Sequence, residues 1–432
     1  MSTQVSAVGQ VRGTPTQGLI GATVGFFVGF AAVSLFGPTV RYLQEAAGLS
    51  AGLAGLLISV PSLSGSLLRI PFSAMVDRDG GRAPFLILLG TSVVGVAGVW
   101  AIITFGTHML RELFPLLLLF GVAGGAGIAT FSVGISQTSY WFPQKAQGSA
   151  LGTYAGVGNI APGLFALILG VIIPFVGISG AYLAWLGFLI LGIAAYTLLG
   201  RNAPYFQFLE QGADRDQARA AAADHGQVLF PRGNAMDALK TSASVWRTWA
   251  LVGVYFTTFG GFIALTGWFP KYWDAYLGIE LGMAGALTAA FSIGASVIRV
   301  AGGPISDRVG GERAALGALL TIAAGAVVMM VASSVALAAV GFVLLALGMG
   351  VGNAATFKLV PQEVPQAVSG AAGWVGGLGA FGGFVIPNVM AVFVGSDATG
   401  DPGYASGFLV FLVLGLASAA LVLVLELTRR RH

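Results

Sequence analysis

The chain has 432 residues, of which 56% are hydrophobic and 9% charged, and its formal net charge is +4. A soluble domain has about a quarter charged residues, so this composition excludes an ordinary water-soluble protein and predicts a polytopic membrane protein. Cysteine is absent, which excludes disulfides, thiolate metal sites and a cysteine nucleophile. The three histidines fall in predicted loops or at the chain end. We therefore expect no metal and no cofactor, and the basic residues beside apolar runs do not indicate nucleic-acid binding.

Twelve apolar segments are long enough to cross a bilayer, since a crossing needs about 20 residues. They centre on residues 18–38, 51–75, 83–105, 113–137, 147–174, 178–200, 247–269, 281–306, 313–333, 335–358, 366–395 and 403–427. The segment 201–246 is too polar to cross and is predicted to be a linker with an amphipathic surface helix. The chain therefore divides into a six-helix half at 1–200, a cytoplasmic linker at 201–246 and a second six-helix half at 247–432.

The basic residues predict the orientation. Most of the 21 lysines and arginines fall in segments that share one side of the membrane when the chain crosses twelve times. Because basic loops stay in the cytoplasm, both termini and the linker are predicted to be cytoplasmic. We expect a multi-pass protein of the cytoplasmic (inner) membrane that is embedded in the lipid bilayer as a monomer.

One stretch of the sequence occurs twice. Arg69 precedes Asp77 by eight residues in the first copy, and Arg299 precedes Asp307 by eight residues in the second. The offset between the copies is 230 residues at both positions (299 − 69 and 307 − 77). A repeat over half the chain predicts two structural halves around a shared axis.

The two repeat-related arginines are predicted to lie deep in the membrane. Eight residues of helix span about 12 Å, which places Arg69 and Arg299 near the midplane of a hydrocarbon core about 30 Å thick. An arginine there costs at least ~2.5 kcal/mol, and none of the 17 acidic residues falls in the middle of a predicted span. The missing counter-ion predicts an anionic substrate. The alternative is that backbone carbonyls at helix breaks satisfy both arginines.

The loop after each arginine has a charged pattern. The two copies read Asp77-Arg78-x-Gly-Gly-Arg82 and Asp307-Arg308-x-Gly-Gly-x-Arg313. They resemble the cytoplasmic loop signature of the major facilitator superfamily. This resemblance implies an all-α fold with twelve transmembrane helices in two pseudo-symmetric six-helix halves. The charged residues are expected to form a latch that holds one conformation.

The fifth and eleventh predicted spans are rich in glycine, and small residues at intervals of three or four let helices approach closely in lipid. The glycines concerned are Gly156, Gly158, Gly373, Gly376, Gly379 and Gly383. They either serve packing alone or form smooth faces along which the halves move. With the segment 66–71, these spans resemble the nitrate/nitrite porter family over nearly the whole chain, excluding the linker and the termini.

This resemblance implies a substrate site of six residues, which are Arg69, Arg299, Asn159, Tyr255, Phe131 and Phe357. In the family the two arginines bind the anion and two aromatic rings sandwich it. Planar guanidinium groups suit planar oxyanions because both present paired groups. Phe131 and Phe357 also occupy equivalent places in the repeat, 226 residues apart (357 − 131).

Together these features predict a secondary transporter of nitrate, nitrite or both that works by alternating access in nitrate assimilation, and no enzyme activity. No Walker-type phosphate loop occurs, so ATP is not the direct energy source. We favour nitrate/nitrite exchange by an antiporter. Proton-coupled nitrate symport stays open, with Lys358 either as the coupling residue or as a lysine that reaches the membrane surface. A porter for another small anion, such as formate, and a membrane sensor are the remaining alternatives.

Overall fold

The structure is a computed structural model that describes residues 10–231, 235–395 and 400–429. Within these residues the chain is helical and has no strand, and eleven helices are long and apolar enough to cross a membrane. The fifth, Ala150–Leu199, has 50 residues, or about 75 Å of helix, and Gly177 breaks it with a φ of 68°. It is long enough for two crossings, which brings the count to the twelve predicted.

We label the crossings in chain order as α1 (Pro15–Ser34), α2 (Ala51–Asp79), α3 (Arg82–Phe105), α4 (Phe114–Trp141), α5 (150–176), α6 (178–199), α7 (Trp246–Tyr276), α8 (Leu281–Val309), α9 (Gly311–Val331), α10 (Val335–Glu363), α11 (Gly370–Ala391) and α12 (Gly403–Arg429). Shorter helices are Val40–Ala47 after α1, and Pro204–Glu210, Arg215–Asp224 and Ala235–Ala243 between α6 and α7.

Several crossings are irregular in their middle. Helix α2 breaks at Leu68, where Ala51–Leu67 ends and Arg69–Asp79 begins. Pro71 follows the break, and proline cannot donate the backbone hydrogen bond that would continue the helix across it. Helix α4 tightens to a 3-10 segment at Ala126–Ala129, and α7 widens to a π segment at Phe256–Gly260. Such departures from α-helix often accompany functional sites.

The bundle has two distinct ends. We call the end with the Asp77 and Asp307 loops the loop end, and the other the opposite end. Both termini of the described chain lie at the loop end, where Gly18 packs on Trp141 and Arg429 forms an ion pair with Glu312. A twelve-crossing chain returns to the side from which it starts, so this placement fits the predicted topology.

The two halves contact each other directly at the opposite end. Arg41, after α1, forms a 2.7 Å ion pair with Asp274 of α7. Asn388 of α11 donates a 2.7 Å hydrogen bond to the Ser59 hydroxyl of α2. A Cβ added to Gly37 would lie 2.5 Å from the Gly267 carbonyl oxygen, so the backbones touch there. The bundle is therefore closed at the opposite end.

The linker folds against the loop end of the first half. Gln207 exchanges two 2.8 Å hydrogen bonds with the backbone of Arg12, and Asn202 accepts a 2.9 Å hydrogen bond from the Arg82 amide. Phe206 packs edge-on against Tyr140, with ring centres 5.2 Å apart. The single predicted surface helix is thus replaced by short helices that pack on the bundle through their own apolar side chains.

Candidate functional site

Arg69 lies directly after the break in α2 and is 1% exposed. Its Nε donates to the Gly65 carbonyl at 3.1 Å, and its Nη1 donates to the Gly376 carbonyl of α11 at 3.0 Å. Its Nη2 is buried and has no hydrogen-bond partner among the described residues. Backbone carbonyls therefore satisfy the Nε and Nη1 donors of Arg69, which is the alternative that the sequence left open. The Nη2 donor remains available for a ligand.

Arg299 differs from Arg69 in its partners. It lies on the same face of α8 as Ser292 and Ser296, since these positions are separated by roughly one and two helical turns. Its Nη1 is buried without a partner in the described part of the chain. The Tyr255 hydroxyl reaches it only in a poorly aligned contact. No described backbone carbonyl accepts from Arg299, so Arg299 has fewer protein hydrogen-bond partners than Arg69.

Two aromatic rings lie against both guanidinium groups. Arg69 Cζ is 4.9 Å from the ring centre of Phe131 and 5.2 Å from that of Phe259. Arg299 Cζ is 5.9 Å and 5.5 Å from the same two ring centres. A desolvated cation over a ring gains about 2 kcal/mol, which offsets part of the burial cost. The shared rings bring both arginines into one small site, where like charges repel each other.

The other predicted site residues lie around this pair. Tyr255 is fully buried and stacks on Phe259 with ring centres 4.9 Å apart. Phe357 packs edge-on against Tyr255 at 4.9 Å, one ring away from the guanidinium groups that Phe131 contacts. The Asn159 side-chain oxygen is buried without a described partner, and the Asn159 carbonyl accepts weak hydrogen bonds from two α8 serines at 3.3 and 3.4 Å.

Phe259 is the residue that the sequence prediction missed. It contacts both arginines in this structure, a place that the family resemblance gives to Phe357. A second repeat would have indicated it: Phe26 and Phe30 on α1 correspond to Tyr255 and Phe259 on α7, 229 residues apart (255 − 26 and 259 − 30). The ring planes of Phe30 and Phe259 are parallel within 5°, with centres 6.3 Å apart.

Two further buried polar groups, on α7 and α10, also lack hydrogen-bond partners among the described residues. The Asn353 side-chain oxygen on α10 and the Thr258 hydroxyl on α7 are buried and unpaired within the described residues. Thr258 packs on Gly352, next to Asn353 in the chain. Buried polar groups are normally hydrogen-bonded, so these unpaired groups mark places where a ligand or water completes the hydrogen bonding.

The signature glycines fall into two groups. A Cβ on Gly158 would collide with Phe26, one on Gly379 would lie 2.7 Å from Tyr255 Cδ1, and one on Gly383 would lie 2.6 Å from Ile263. The other three have more room: the nearest atom to an added Cβ is 3.6 Å away at Gly156, 3.3 Å at Gly373 and 3.9 Å at Gly376. Gly376 contributes its carbonyl to Arg69 instead. Close packing and free space thus coexist in α11.

The charged loop residues make contacts within their own halves. Asp77 accepts a 2.6 Å hydrogen bond from the Tyr140 hydroxyl, and Arg82 donates to the Thr197 carbonyl at 3.1 Å. Arg78 pairs with its neighbour Asp79 at 2.7 Å. No hydrogen bond or ion pair joins Arg308 or Arg313 to another described residue across the two halves. The predicted latch stays a prediction for a different conformation.

Lys358 points away from the arginine pair. Its Nζ donates to the Ser306 carbonyl at 2.6 Å and pairs with the exposed Asp307 carboxylate at 2.7 Å. This geometry is the one expected for a lysine that reaches the membrane surface. The described residues also hold no group of three or more histidines or carboxylates arranged to bind a metal.

The sequence model of the Major Facilitator Superfamily matches residues 22–387, with a second match at 273–432. The chain belongs to the major facilitator superfamily. Its fold agrees with solved members: the xylose transporter of E. coli, in a partially occluded inward open conformation, superposes with a TM-score of 0.67 at 16% identity over 94% of this chain and 98% of that one. A bacterial homologue of the human lysosomal transporter Spinster gives the same TM-score over 96% and 97%.

Curated relatives within the superfamily confirm the resemblance to the nitrate/nitrite porter family. A Thermus thermophilus protein named "Probable nitrate/nitrite antiporter" is 31% identical, with 94% of this chain and 90% of the relative covered. A nitrite extrusion protein of Bacillus subtilis is 28% identical, with 87% and 85% covered. The chain is thus similar to these relatives over 87–94% of its own length.

Proposed function

We propose that this protein is a secondary transporter of nitrate and nitrite that works by alternating access and holds the anion between Arg69 and Arg299. The observation that carries the proposal is the pair of arginines on the shared rings of Phe131 and Phe259. Arg69 is buried and Arg299 is half-buried, and each has a buried Nη donor without a described partner. No carboxylate lies within ion-pair distance (4 Å) of either arginine among the described residues. A bound anion supplies the missing counter-charge.

The shape of the site suits a small planar oxyanion. Guanidinium groups present flat pairs of donors that match a planar oxyanion. The rings of Phe131 and Phe259 lie against each other with centres 5.7 Å apart, so they form an apolar wall beside the anion. Asn159 and Tyr255 add polar groups at the edge, and Phe357 lies one ring further toward the loop end. The names of the curated relatives support nitrate and nitrite among the anions with this shape.

We further propose exchange as the transport mode. With the site empty, two unneutralised guanidinium groups repel each other in a medium of low dielectric constant, which opposes closure of the halves around them. An anion relieves this repulsion, so the loaded protein changes conformation more readily than the empty one. Lys358 is engaged at the surface by Asp307, which supports a mode without it as a proton carrier.

We also propose three features that the sequence predicted. The loop end faces the cytoplasm, the protein is a monomer in the inner membrane, and the Asp77 and Asp307 loops latch the conformation in which the loop end is closed. In the present conformation the opposite end is closed by Arg41–Asp274 and Asn388–Ser59.

Uptake of isotopically labelled nitrate into proteoliposomes tests this proposal. We expect little uptake into vesicles that lack internal anion, with or without an inward proton gradient, and rapid uptake once nitrite or nitrate is enclosed. Strong proton-driven uptake into empty vesicles, abolished by Lys358→Gln, would establish proton symport instead. Inhibition by formate at lower concentrations than by nitrite would assign the site to carboxylates.

A further inference from the structure

Lys271 is a second buried cation, and it lies near the opposite end of α7. Lys271 is buried, with only 3% of its surface exposed. Its Nζ donates a 2.6 Å hydrogen bond to the Gln44 side-chain oxygen, which belongs to the short helix Val40–Ala47 of the other half. A buried ammonium whose hydrogen-bond partner is a neutral amide is costly. An ionisable residue at such depth therefore indicates a function.

The acidic residues near Lys271 are engaged elsewhere. Asp274, three residues later on α7, pairs with Arg41 at 2.7 Å. The Asp401 carboxylate accepts hydrogen bonds from the backbone amides of Gly395 and Gly403 at 2.5 and 2.6 Å. No described carboxylate lies within ion-pair distance (4 Å) of Lys271, and Asp397 lies outside the described residues. Within the described residues the ammonium group thus lacks a counter-ion, as the two arginines do.

The surroundings of Lys271 offer further donors that lack acceptors. Its Nζ lies 5.7 Å from the ring centre of Tyr404, whose hydroxyl is buried and unpaired within the described chain. Trp268 packs against Tyr404 with ring centres 5.9 Å apart, and its indole nitrogen is also buried without a described partner. A positive charge beside two unpaired donors favours an anion, since unmade hydrogen bonds to buried donors cost free energy.

This group is separate from the arginine pair. Lys271 follows Phe259 by 12 residues on α7, which corresponds to about 18 Å of helix. Phe259 contacts both arginines, so Lys271 lies about three turns further toward the opposite end. An anion that enters from that end therefore meets Lys271 before it reaches the arginines.

We propose that Lys271 forms a second site for a small inorganic anion, at which an entering anion takes the place of Gln44 as the halves part. This proposal rests on the proposed transport function. Opening of the opposite end must break the Lys271–Gln44 hydrogen bond because it joins the two halves. A charge-assisted bond to an anion is stronger than one to a neutral amide, so an anion binds this site better when the end is open. It then favours the open conformation by its differential affinity.

Exchange kinetics test this site in two vesicle preparations. The opposite end of the protein faces outward in one preparation and inward in the other, so that external nitrate reaches one known end in each. In Lys271→Gln we expect the KM for nitrate supplied at the opposite end to rise about tenfold, with the KM at the loop end unchanged. Lys271→Arg should stay close to wild type. The difference between wild type and Lys271→Gln should shrink as ionic strength rises, because salt screens an accessible charge. The matched control is Arg111→Gln, which removes one exposed positive charge from the loop between α3 and α4 at the same end.

The variant Gln44→Ala separates an anion site from a simple tether between the halves. Removing Gln44 takes away the competitor of the anion, so the KM at the opposite end should fall, opposite in direction to Lys271→Gln. A tether alone predicts the same shift in both variants, and that result would overturn the proposal. So would an unchanged KM at the opposite end in Lys271→Gln. The wild-type protein separates the failure of the Lys271 site from the failure of the proposed transport function. If the wild type shows no nitrate exchange, the transport function itself is contradicted.

Discussion

Arg69 and Arg299 occupy equivalent places in the repeat, yet the protein holds them differently. Arg69 is almost completely buried and donates to carbonyls of its own helix and of α11 in the other half. Arg299 is only partly buried and donates no well-aligned hydrogen bond to the described residues. Both share the rings of Phe131 and Phe259. One arginine is fixed by the fold and the other is left to be fixed by a ligand.

This difference indicates distinct roles for the two arginines in anion binding and in joining the two halves. The bond from Arg69 to Gly376 connects α2 with α11, so Arg69 both binds the anion and joins the halves. Arg299 makes no well-aligned hydrogen bond to the described residues, and its partial burial costs less free energy than the full burial of Arg69. Symmetry of sequence therefore does not make the two sites energetically equal. The following substitutions test the difference, from the largest expected effect to the smallest.

Arg69→Lys should have the largest effect on transport. Lysine keeps the charge but cannot bond the Gly65 carbonyl, the Gly376 carbonyl and an anion with one planar fork. Losing charge-assisted hydrogen bonds of about 1.5–3 kcal/mol each predicts a fall in kcat/KM of roughly 100-fold or more. Arg299→Lys loses only its bonds to the anion, and we expect a fall of roughly tenfold. Initial rates of nitrate exchange measure both, and equal losses would contradict the assigned difference.

Two glycines of α11 should differ in how strongly replacement by alanine affects transport. A Cβ at position 379 would lie 2.7 Å from Tyr255 Cδ1 and 2.8 Å from Tyr255 Cβ, so Gly379→Ala must displace the ring that stacks on Phe259. A Cβ at position 376 would have its nearest neighbour at 3.9 Å. We expect a loss of about tenfold in exchange rate for Gly379→Ala, since overpacking costs about 1–3 kcal/mol, and near wild-type rates for Gly376→Ala. Similar exchange rates in the two variants would contradict the claim that close packing on Tyr255 requires glycine at position 379 but not at position 376.

The aromatic rings allow a finer comparison. Phe259 contacts both guanidinium groups, and Phe357 contacts Tyr255 instead. Phe259→Leu should raise the KM for nitrate about fivefold or more, because a cation–π contact contributes about 0.5–2 kcal/mol. Phe357→Leu should raise it less if the arginines are the main ligands. A larger effect at Phe357 would show that this ring moves against the anion in the loaded state, as the family resemblance implies.

The smallest effect is expected at Lys358. This residue pairs with the exposed Asp307 and donates to the Ser306 carbonyl, and exposed ion pairs contribute only about 0–1 kcal/mol. Lys358→Gln should therefore keep nitrate exchange within about twofold of wild type. The measurement is exchange into nitrite-loaded proteoliposomes at two external pH values. A large loss that depends on pH would reinstate Lys358 as a coupling residue.

The sequence predicted the fold because it depends on regularities of the chain, and the predicted depth of the arginines in the membrane stays a prediction. Span length indicated twelve crossings, and the spacing from Arg69 to Asp77 and from Arg299 to Asp307 indicated equal depth. Phe259 escaped prediction because it is one of 29 phenylalanines, and its repeat signal lies in a different helix pair. The bond from Arg69 to Gly376 could not be predicted, since it depends on how closely two halves approach in one conformation.

The local surroundings of individual residues also could not be predicted from the sequence. The sequence identified Gly376 and Gly379 as members of one glycine-rich pattern. Their surroundings differ because Tyr255 of α7 packs against only one of them. Likewise, Lys358 and Lys271 both lie near the ends of their helices in the structure. The first meets a carboxylate and the second an amide of the other half. Such differences arise from tertiary contacts that no local pattern encodes.

The central claim is that an anion supplies the counter-charge of the two arginines, and thermal unfolding of Arg299→Gln tests it most directly. A ligand at 100 times its Kd stabilises the folded state by about 2.7 kcal/mol, so nitrate should raise the Tm of the wild type. Arg299→Gln removes one of the two charges that repel each other in the empty site. Without anion it should unfold at a higher temperature than the wild type, and nitrate should change its Tm little. A wild-type Tm that is insensitive to nitrate, or an Arg299→Gln variant that nitrate stabilises as much as the wild type, would contradict the claim.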